Sequence, residues 1–281
     1  MAASVVDTTK SASGGIPIAD LKTISLAKLH AKENIEIDRL DKAASNTGFF
    51  YLDLRGDPVG ERVLANLPGM YAVAAEYFAQ PEETKEKDAR HDIKSSQDIG
   101  YRKRRTGQDF DISRDELRSN CASHLPEVFQ MQKKQIAGFS ASCDDACLTL
   151  LNSLSTDFAV HHRVDQPSET GLKMTLEPSL ARLSDGGDNL HTDSGTLTML
   201  FYEELGLHAF YPDASLWAFA PIVEGCVLIN VANSLQRLSG GKFHSPKHRM
   251  TQASDGAKDR YFLSYFLRPE NALKEAWEAE A

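Results

Sequence analysis

The stretch "DNLHTDSGTLTMLF" (188–201) sets His191 and Asp193 two residues apart, just ahead of an apolar, Thr-rich run that reads as a strand. Residues i and i+2 of a strand point to the same face, so this imidazole and carboxylate can reach one point in space. That is half of a metal site, and a third ligand is needed to make it more than chance spacing. "GGKFHSPKHRMTQAS" (240–254) supplies His248 at the start of another β-like run, with His244 as its competitor. Two histidines and one carboxylate on facing strands form the set that holds non-haem Fe(II) and leaves positions open for oxygen chemistry. Zinc is the metallic alternative, although the helical HExxH that equips many zinc hydrolases with a base is absent from the sequence.

Arg260 follows in "DRYFLSYFLRP", on what reads as a neighbouring strand. Its planar guanidinium suits a bidentate grip on a dicarboxylate, against the simpler expectation that it pairs with Asp255, Asp259 or another surface acid.

The elements that must position these residues divide the chain. "ENIEIDRLDKAASNTGFFYLDL" (33–54) gives helical spacing at Ile37, Leu40 and Ala44, a stop at Gly48 and then a strand. More helix is expected over 64–90 and 126–162, while the polar, poorly periodic 91–125 reads as a long loop that covers a site. From 172 onward, "LKMTLEP", "TLTMLFY", "LHAFYP", "LWAFAP", "CVLINVA", "HRMTQAS" and "RYFLSYFLRP" alternate with turns, the mark of a sandwich or barrel. Trp217 and Phe219 read as core, and His161 and His162 as a helix-end dipole contact.

Composition narrows the function classes. The 281 residues carry 31 basic and 40 acidic side chains, a formal charge of −9, which argues against a nucleic-acid partner. The basic run "YRKRRT" (101–106) reads as a solvated face. Cys121, Cys143, Cys147 and Cys226 show neither paired CxxC spacing nor disulfide density, which points to a reducing, cytoplasmic setting. No apolar run is long enough for a membrane span or a signal peptide.

The order "HTD…GKFHSPKHRM…DRYFLSYFLRP", with "GFFYLDL" upstream and "LINVANSLQ" between, resembles the isopenicillin N synthase-like iron- and 2-oxoglutarate-dependent dioxygenases, particularly fungal members. The resemblance runs from about residue 15 to 270. It implies an α+β fold with a mainly β core, a double-stranded β-helix (jelly roll) buttressed by N-terminal helices. The expected organisation is a disordered leader at 1–15, a helical and mixed region at 16–165, and a jelly-roll catalytic core with a C-terminal helix at 166–281, all one unit. On this resemblance His191, Asp193 and His248 hold Fe(II), and Arg260 anchors the distal carboxylate of 2-oxoglutarate. O₂ is the oxidant and a small molecule, a secondary metabolite, the substrate. Hydrogen abstraction would end in hydroxylation, desaturation, epoxidation or ring formation.

Two positions depart from the family pattern. Phe262 stands where the family usually has a serine, and Glu177-Pro178 where it often has Tyr-Pro. A glutamate there repels a dicarboxylate unless it points away or is protonated. Three accounts follow: Arg260 suffices alone, Ser264 or another group on that face replaces the missing hydroxyl, or the protein is an iron oxidase that uses no 2-oxoglutarate. A metal-stabilised β-sandwich that binds without turnover is the non-enzyme alternative, and a zinc hydrolase the other enzyme class.

Overall fold

A computed structural model describes residues 6–11, 17–91, 99–118, 125–179, 189–211, 216–251 and 258–280. Its strands are β1 (Val6–Ser11), β2 (Pro17–Ala19), β3 (Thr23–Ser25), β4 (Phe49–Asp53), β5 (Gly100–Lys103), β6 (Gln108–Ser113), β7 (Gly171–Glu177), β8 (Leu197–Tyr202), β9 (Leu207–Tyr211), β10 (Leu216–Phe219), β11 (Cys226–Val231), β12 (His248–Met250) and β13 (Arg260–Leu267). They form an eight-stranded sheet in the order β3-β4-β11-β8-β13-β7-β6-β5 and a five-stranded sheet in the order β1-β2-β10-β9-β12.

Strand alternation gives the large sheet two different faces. Leu172, Met174, Met199, Phe201, Ile229, Leu263 and Tyr265 point away from the small sheet, into a core shared with the helices Pro58–Phe78 and Lys133–Leu154. Between the two sheets lies a smaller apolar cluster that includes Phe49, Tyr51 and Leu228 from the large sheet and Leu207, Ala209 and Ala218 from the small one. Helices, large sheet and small sheet are therefore three layers around two cores. A polar tie crosses the first core: Tyr265 Oη donates to Asp144 Oδ1 at 2.7 Å, and Arg114 Nη1 reaches the same oxygen at 3.5 Å.

Gly48 does end the helix Asn34–Asn46, with φ of 68°. Its own amide donates to Ala43 O at 3.1 Å, and a Cβ there would fall 2.0 Å from the carbonyl oxygen of His244, so only glycine fits.

Several expectations are corrected. The loop expected over 91–125 contains the β5–β6 hairpin and a short helix, Arg114–Arg118, with 92–98 and 119–124 outside the described residues. The strand pattern was concealed because the positions between Tyr101, Phe110 and Ile112 carry charge that is satisfied by pairing. Arg102 donates to Asp111 at 2.8 Å and Arg104 to Asp109 at 2.9 Å, so the basic run is only partly a solvated face. In the leader, Val6–Ser11 pairs antiparallel with β2, while 1–5 and 12–16 lie outside the described residues, as do Cys121 and Asp255. Cys143 and Cys147 are free and buried. Phe219 is core, whereas Trp217 is half-buried under the Arg249 guanidinium, 4.1 Å from its ring. Among the described residues no helix is long and apolar enough to cross a membrane.

His162 is buried rather than a charged dipole contact. Its Nδ1 donates to Phe158 O at 2.8 Å and its Nε2 accepts from Thr196 Oγ1 at 2.7 Å, an arrangement that a neutral ring satisfies. Burial pushes its pKa down from 6.5 to about 4, against the hydrogen bond to Phe158. In this window the unfolded chain binds the additional proton, so stability is complete above about pH 6.5 and is lost as pH falls toward 4. Replacing His162 with Gln is expected to shrink the difference between urea midpoints at pH 7 and pH 5. An unchanged difference would show that the ring is not buried in its neutral form.

Candidate metal centre

The segment leading into β8 is fixed before any metal is considered. His191 and His248 form an isolated antiparallel bridge, His191 N to His248 O at 3.0 Å and His248 N to His191 O at 2.9 Å. Asn233 N donates to Asp193 O at 2.8 Å and Ser234 N to Gly195 O at 2.8 Å, so the helix Asn233–Leu238 clasps the 193–195 backbone. The bridge places one imidazole from the β8 entry and one from β12 side by side, ring centroids 4.4 Å apart. Phe49 packs edge-on against His248, 5.6 Å between centroids.

Each candidate ligand has its rear atom engaged and its front atom available. His191 Nδ1 donates to Asn189 O at 2.6 Å and His248 Nδ1 to Pro246 O at 3.1 Å, which leaves the Nε2 lone pair of each ring facing inward. Asp193 Oδ2 accepts from Thr198 Oγ1 at 2.6 Å and Asn230 Nδ2 at 2.8 Å. Its Oδ1 lies 3.5 Å from His191 Nε2 and 3.7 Å from His248 Nε2. One ligand atom from each of the three lies within 4.8 Å of the others, and His244 is not part of this group.

The electrostatics suit a divalent cation. Burial alone would raise the Asp193 carboxyl. With the rings protonated on Nε2 and no metal held between them, the hydrogen bond with His191, the charge of His248, and the donors Thr198 and Asn230 together hold it well below the usual carboxylate range. Burial lowers the pKa of His248 despite Asp193, whereas the hydrogen bond with Asp193 raises that of half-exposed His191. The donor set is two imidazole nitrogens and one carboxylate oxygen, with no fourth His, Cys, Asp or Glu in the group among the described residues. This fits Fe(II) with open positions and does not fit a closed structural zinc site.

Arg260 stands apart from this cluster, farther along the same inward face. Phe266 of β13 is opposite Thr198, the residue that holds Asp193, and Arg260 is six positions before it. Asp255 lies outside the described residues, and Asp259 is not the partner of Arg260. Arg260 is directly opposite Glu177 in the β13–β7 ladder, and its Nη2 donates to Glu177 Oε2, with both residues 2% exposed. Asp259 instead accepts from Ser179 N at 2.9 Å. Removing one member of such a buried pair costs about 3–5 kcal/mol, because the other charge is left without a partner.

Phe262 shares the face, its ring centroid 5.1 Å from the Arg260 guanidinium carbon. Ser264 is opposite Lys173 and Leu200, four residues from Arg260. At about 3.3 Å per residue that is roughly 13 Å along the strand, too far for both to grip one carboxylate. For a dicarboxylate, the fit rests on one observation: Arg260 Nε is buried without a hydrogen-bond partner among the described residues, a donor still available to an incoming acceptor.

Sequence reasoning missed Thr198 and Asn230. Their signal was positional only: each is a polar residue alternating with Leu197, Met199, Ile229 and Val231 in strands otherwise rich in apolar side chains.

Comparison with known proteins agrees with this geometry. Residues 177–269 match the 2OG-Fe(II) oxygenase superfamily, and residues 16–130 match the N-terminal region described as non-haem dioxygenase in morphine synthesis. The 2-oxoglutarate-dependent dioxygenase frbH of Dothideomycetidae sp. is 31% identical over 277 residues, covering 91% of this chain and 84% of the relative. The 2-oxoglutarate-dependent dioxygenase gloE of Glarea lozoyensis is 30% identical over 272 residues, covering 89% and 80%. Among solved structures, the rice dioxygenase for auxin oxidation superposes with a TM-score of 0.70 at 23% identity, covering 89% of this chain and 84% of that one, a likeness of fold. The two packed sheets are thus a double-stranded β-helix, and the chain belongs to the 2OG-Fe(II) oxygenases, enzymes that use Fe(II), 2-oxoglutarate and O₂.

Proposed function

We propose that His191, Asp193 and His248 are the iron ligands of this oxygenase, that Arg260 receives the distal carboxylate of 2-oxoglutarate, and that the substrate is a small organic metabolite. The observation that carries the ligand assignment is the convergence of two Nε2 atoms and one Oδ1, each with its rear partner already in place. Fe(II) held there supplies oxidation of a substrate C–H bond by O₂, coupled to decarboxylation of the keto acid.

The chain's own residues do the rest. Asn189 O and Pro246 O fix the ring tautomers, so neither histidine loses binding free energy to reorientation. Thr198 and Asn230 hold Asp193 by one oxygen, which favours monodentate ligation through the other. Arg260 sits on the same inward face of the large sheet as Thr198. A small-molecule substrate is consistent with membership of the oxygenase family.

His248→Ala is expected to abolish tight Fe(II) binding in a chelator-competition titration, with His244→Ala nearly silent; the reverse pattern would move the third ligand to His244. In the same titration Thr198→Val should weaken the metal about 10–100-fold, the usual effect of losing a group that orients a ligand.

Anaerobic titration of the Fe(II)-loaded protein with 2-oxoglutarate should develop a saturable visible charge-transfer band. In the double variant Arg260→Ala/Glu177→Gln, which leaves no lone buried carboxylate, saturation should require more 2-oxoglutarate, by up to about tenfold. An unshifted titration would remove Arg260 from the role of anchor.

A further inference from the structure

The Arg260 guanidinium offers acceptors two edges, and both are partly committed. Nη1 donates to the Thr251 carbonyl at 3.0 Å, and the backbone of Gly206 closes in behind it, where a Cβ would lie 2.6 Å from Nη1. Nη2 is held by Glu177, while Nε on the same edge has no partner among the described residues. The Nε–Nη2 edge is the fork that binds a carboxylate through two parallel hydrogen bonds. Glu177 thus occupies half of it and neutralises its charge from the directly opposing position in β7.

Phe262 adds an aromatic ring on this face and no donor. A second carboxylate arriving at Arg260 therefore finds one nitrogen without a partner, a neutralised cation and a carboxylate already in place. Full bidentate contact on that edge brings the incoming carboxylate against the one already on Nη2.

We propose that Glu177 is a specificity-determining residue of the cosubstrate pocket. Its carboxylate stands in for the distal carboxylate of 2-oxoglutarate, so the dicarboxylate binds by exchanging one carboxylate for another. The exchange cancels most of the gain that the second carboxylate would otherwise bring. The enzyme consequently distinguishes weakly between 2-oxoglutarate and 2-oxo acids that have only one carboxylate. This inference rests on the reading of Arg260 as the anchor.

The experiment is calorimetric binding of 2-oxoglutarate and of 2-oxobutyrate to the full Fe(II)-loaded chain under nitrogen, which reads affinity without turnover. In the unaltered protein the two dissociation constants should lie within about tenfold of each other, the equivalent of less than one net charge-assisted hydrogen bond. Glu177→Gln, which keeps size and hydrogen bonding but removes the charge, should tighten 2-oxoglutarate about tenfold or more and leave 2-oxobutyrate unchanged. Glu177→Asp guards against a folding defect, because it retains the charge and only draws the carboxylate back by one methylene. It should give a smaller gain in the same direction.

If 2-oxoglutarate binds both variants no better than the parent while 2-oxobutyrate is unaffected, Glu177 merely supports Arg260 and the inference is overturned. A large preference for 2-oxoglutarate in the unaltered protein would overturn it as well. Failure of the site reading itself gives a different result: a parent protein that takes up no Fe(II), or an Arg260→Ala/Glu177→Gln variant with undiminished 2-oxoglutarate affinity.

Discussion

The carboxylate of Asp193 is the interaction on which the centre depends. Burying an ionised group without partners is prohibitive, so its position is dictated by the donors that receive it: Thr198 from β8 and Asn230 from β11 in the large sheet. The helix Asn233–Leu238 then fixes the backbone of the same residue through Asn233 N. With Asp193 placed, the bridge between His191 and His248 joins the β8 entry to β12 of the small sheet, and the two rings have a common focus with Oδ1. The metal site is therefore also the seam between the sheets. A change that loosens Thr198 or Asn230 acts on metal affinity and on sheet packing together.

The inward face of the large sheet changes character from one side to the other. Toward β4 and β11 it presents Phe49, Tyr51 and Leu228 to the apolar cluster between the sheets. Toward β13, β7 and β6 it presents Arg260, Glu177, Lys173, Asp111 and Asp109, nearly all buried. Charge survives there because it is paired across strands: Arg260 with Glu177, Lys173 with Asp111 at 3.6 Å, and Arg104 with Asp109. A protein stabilising only its core would gain from apolar side chains at these positions, since a buried ion pair seldom outweighs its desolvation. A ladder of paired charges on a face that leads to a metal centre is instead suited to holding polar ligands.

The β half of the fold was legible in the sequence because its strands are short, apolar at alternate positions and separated by turn residues, and all seven runs read from 172 onward are strands. The metal cluster was legible for a related reason: His191 and Asp193 are local, so alternation alone brings them together. What was hidden depends on partners distant in sequence. The β5–β6 hairpin reads as polar loop until Arg102 is set opposite the acids of β6. His162 reads as a helix-end cation until Thr196, 34 residues later, is placed against its Nε2. Glu177 reads as a misplaced charge until strand register puts it opposite Arg260, 83 residues away.

That register also separates the two ends of the site mechanically. The metal end is assembled from both sheets and from the helix after β11, so it depends on how the layers pack. The Arg260 end is built within the large sheet, from adjacent positions of β13 and β7, with Thr251 and Gly206 added from outside the strands among the described residues. Substitutions at 177 and 262 can therefore change the surroundings of Arg260 while Asp193, Thr198 and Asn230 remain undisturbed. An unaltered His191, Asp193 and His248 cluster beside changed neighbours of Arg260 is what that independence permits, because the ladder that joins β13 to β7 tolerates pairs of side chains that satisfy each other when buried.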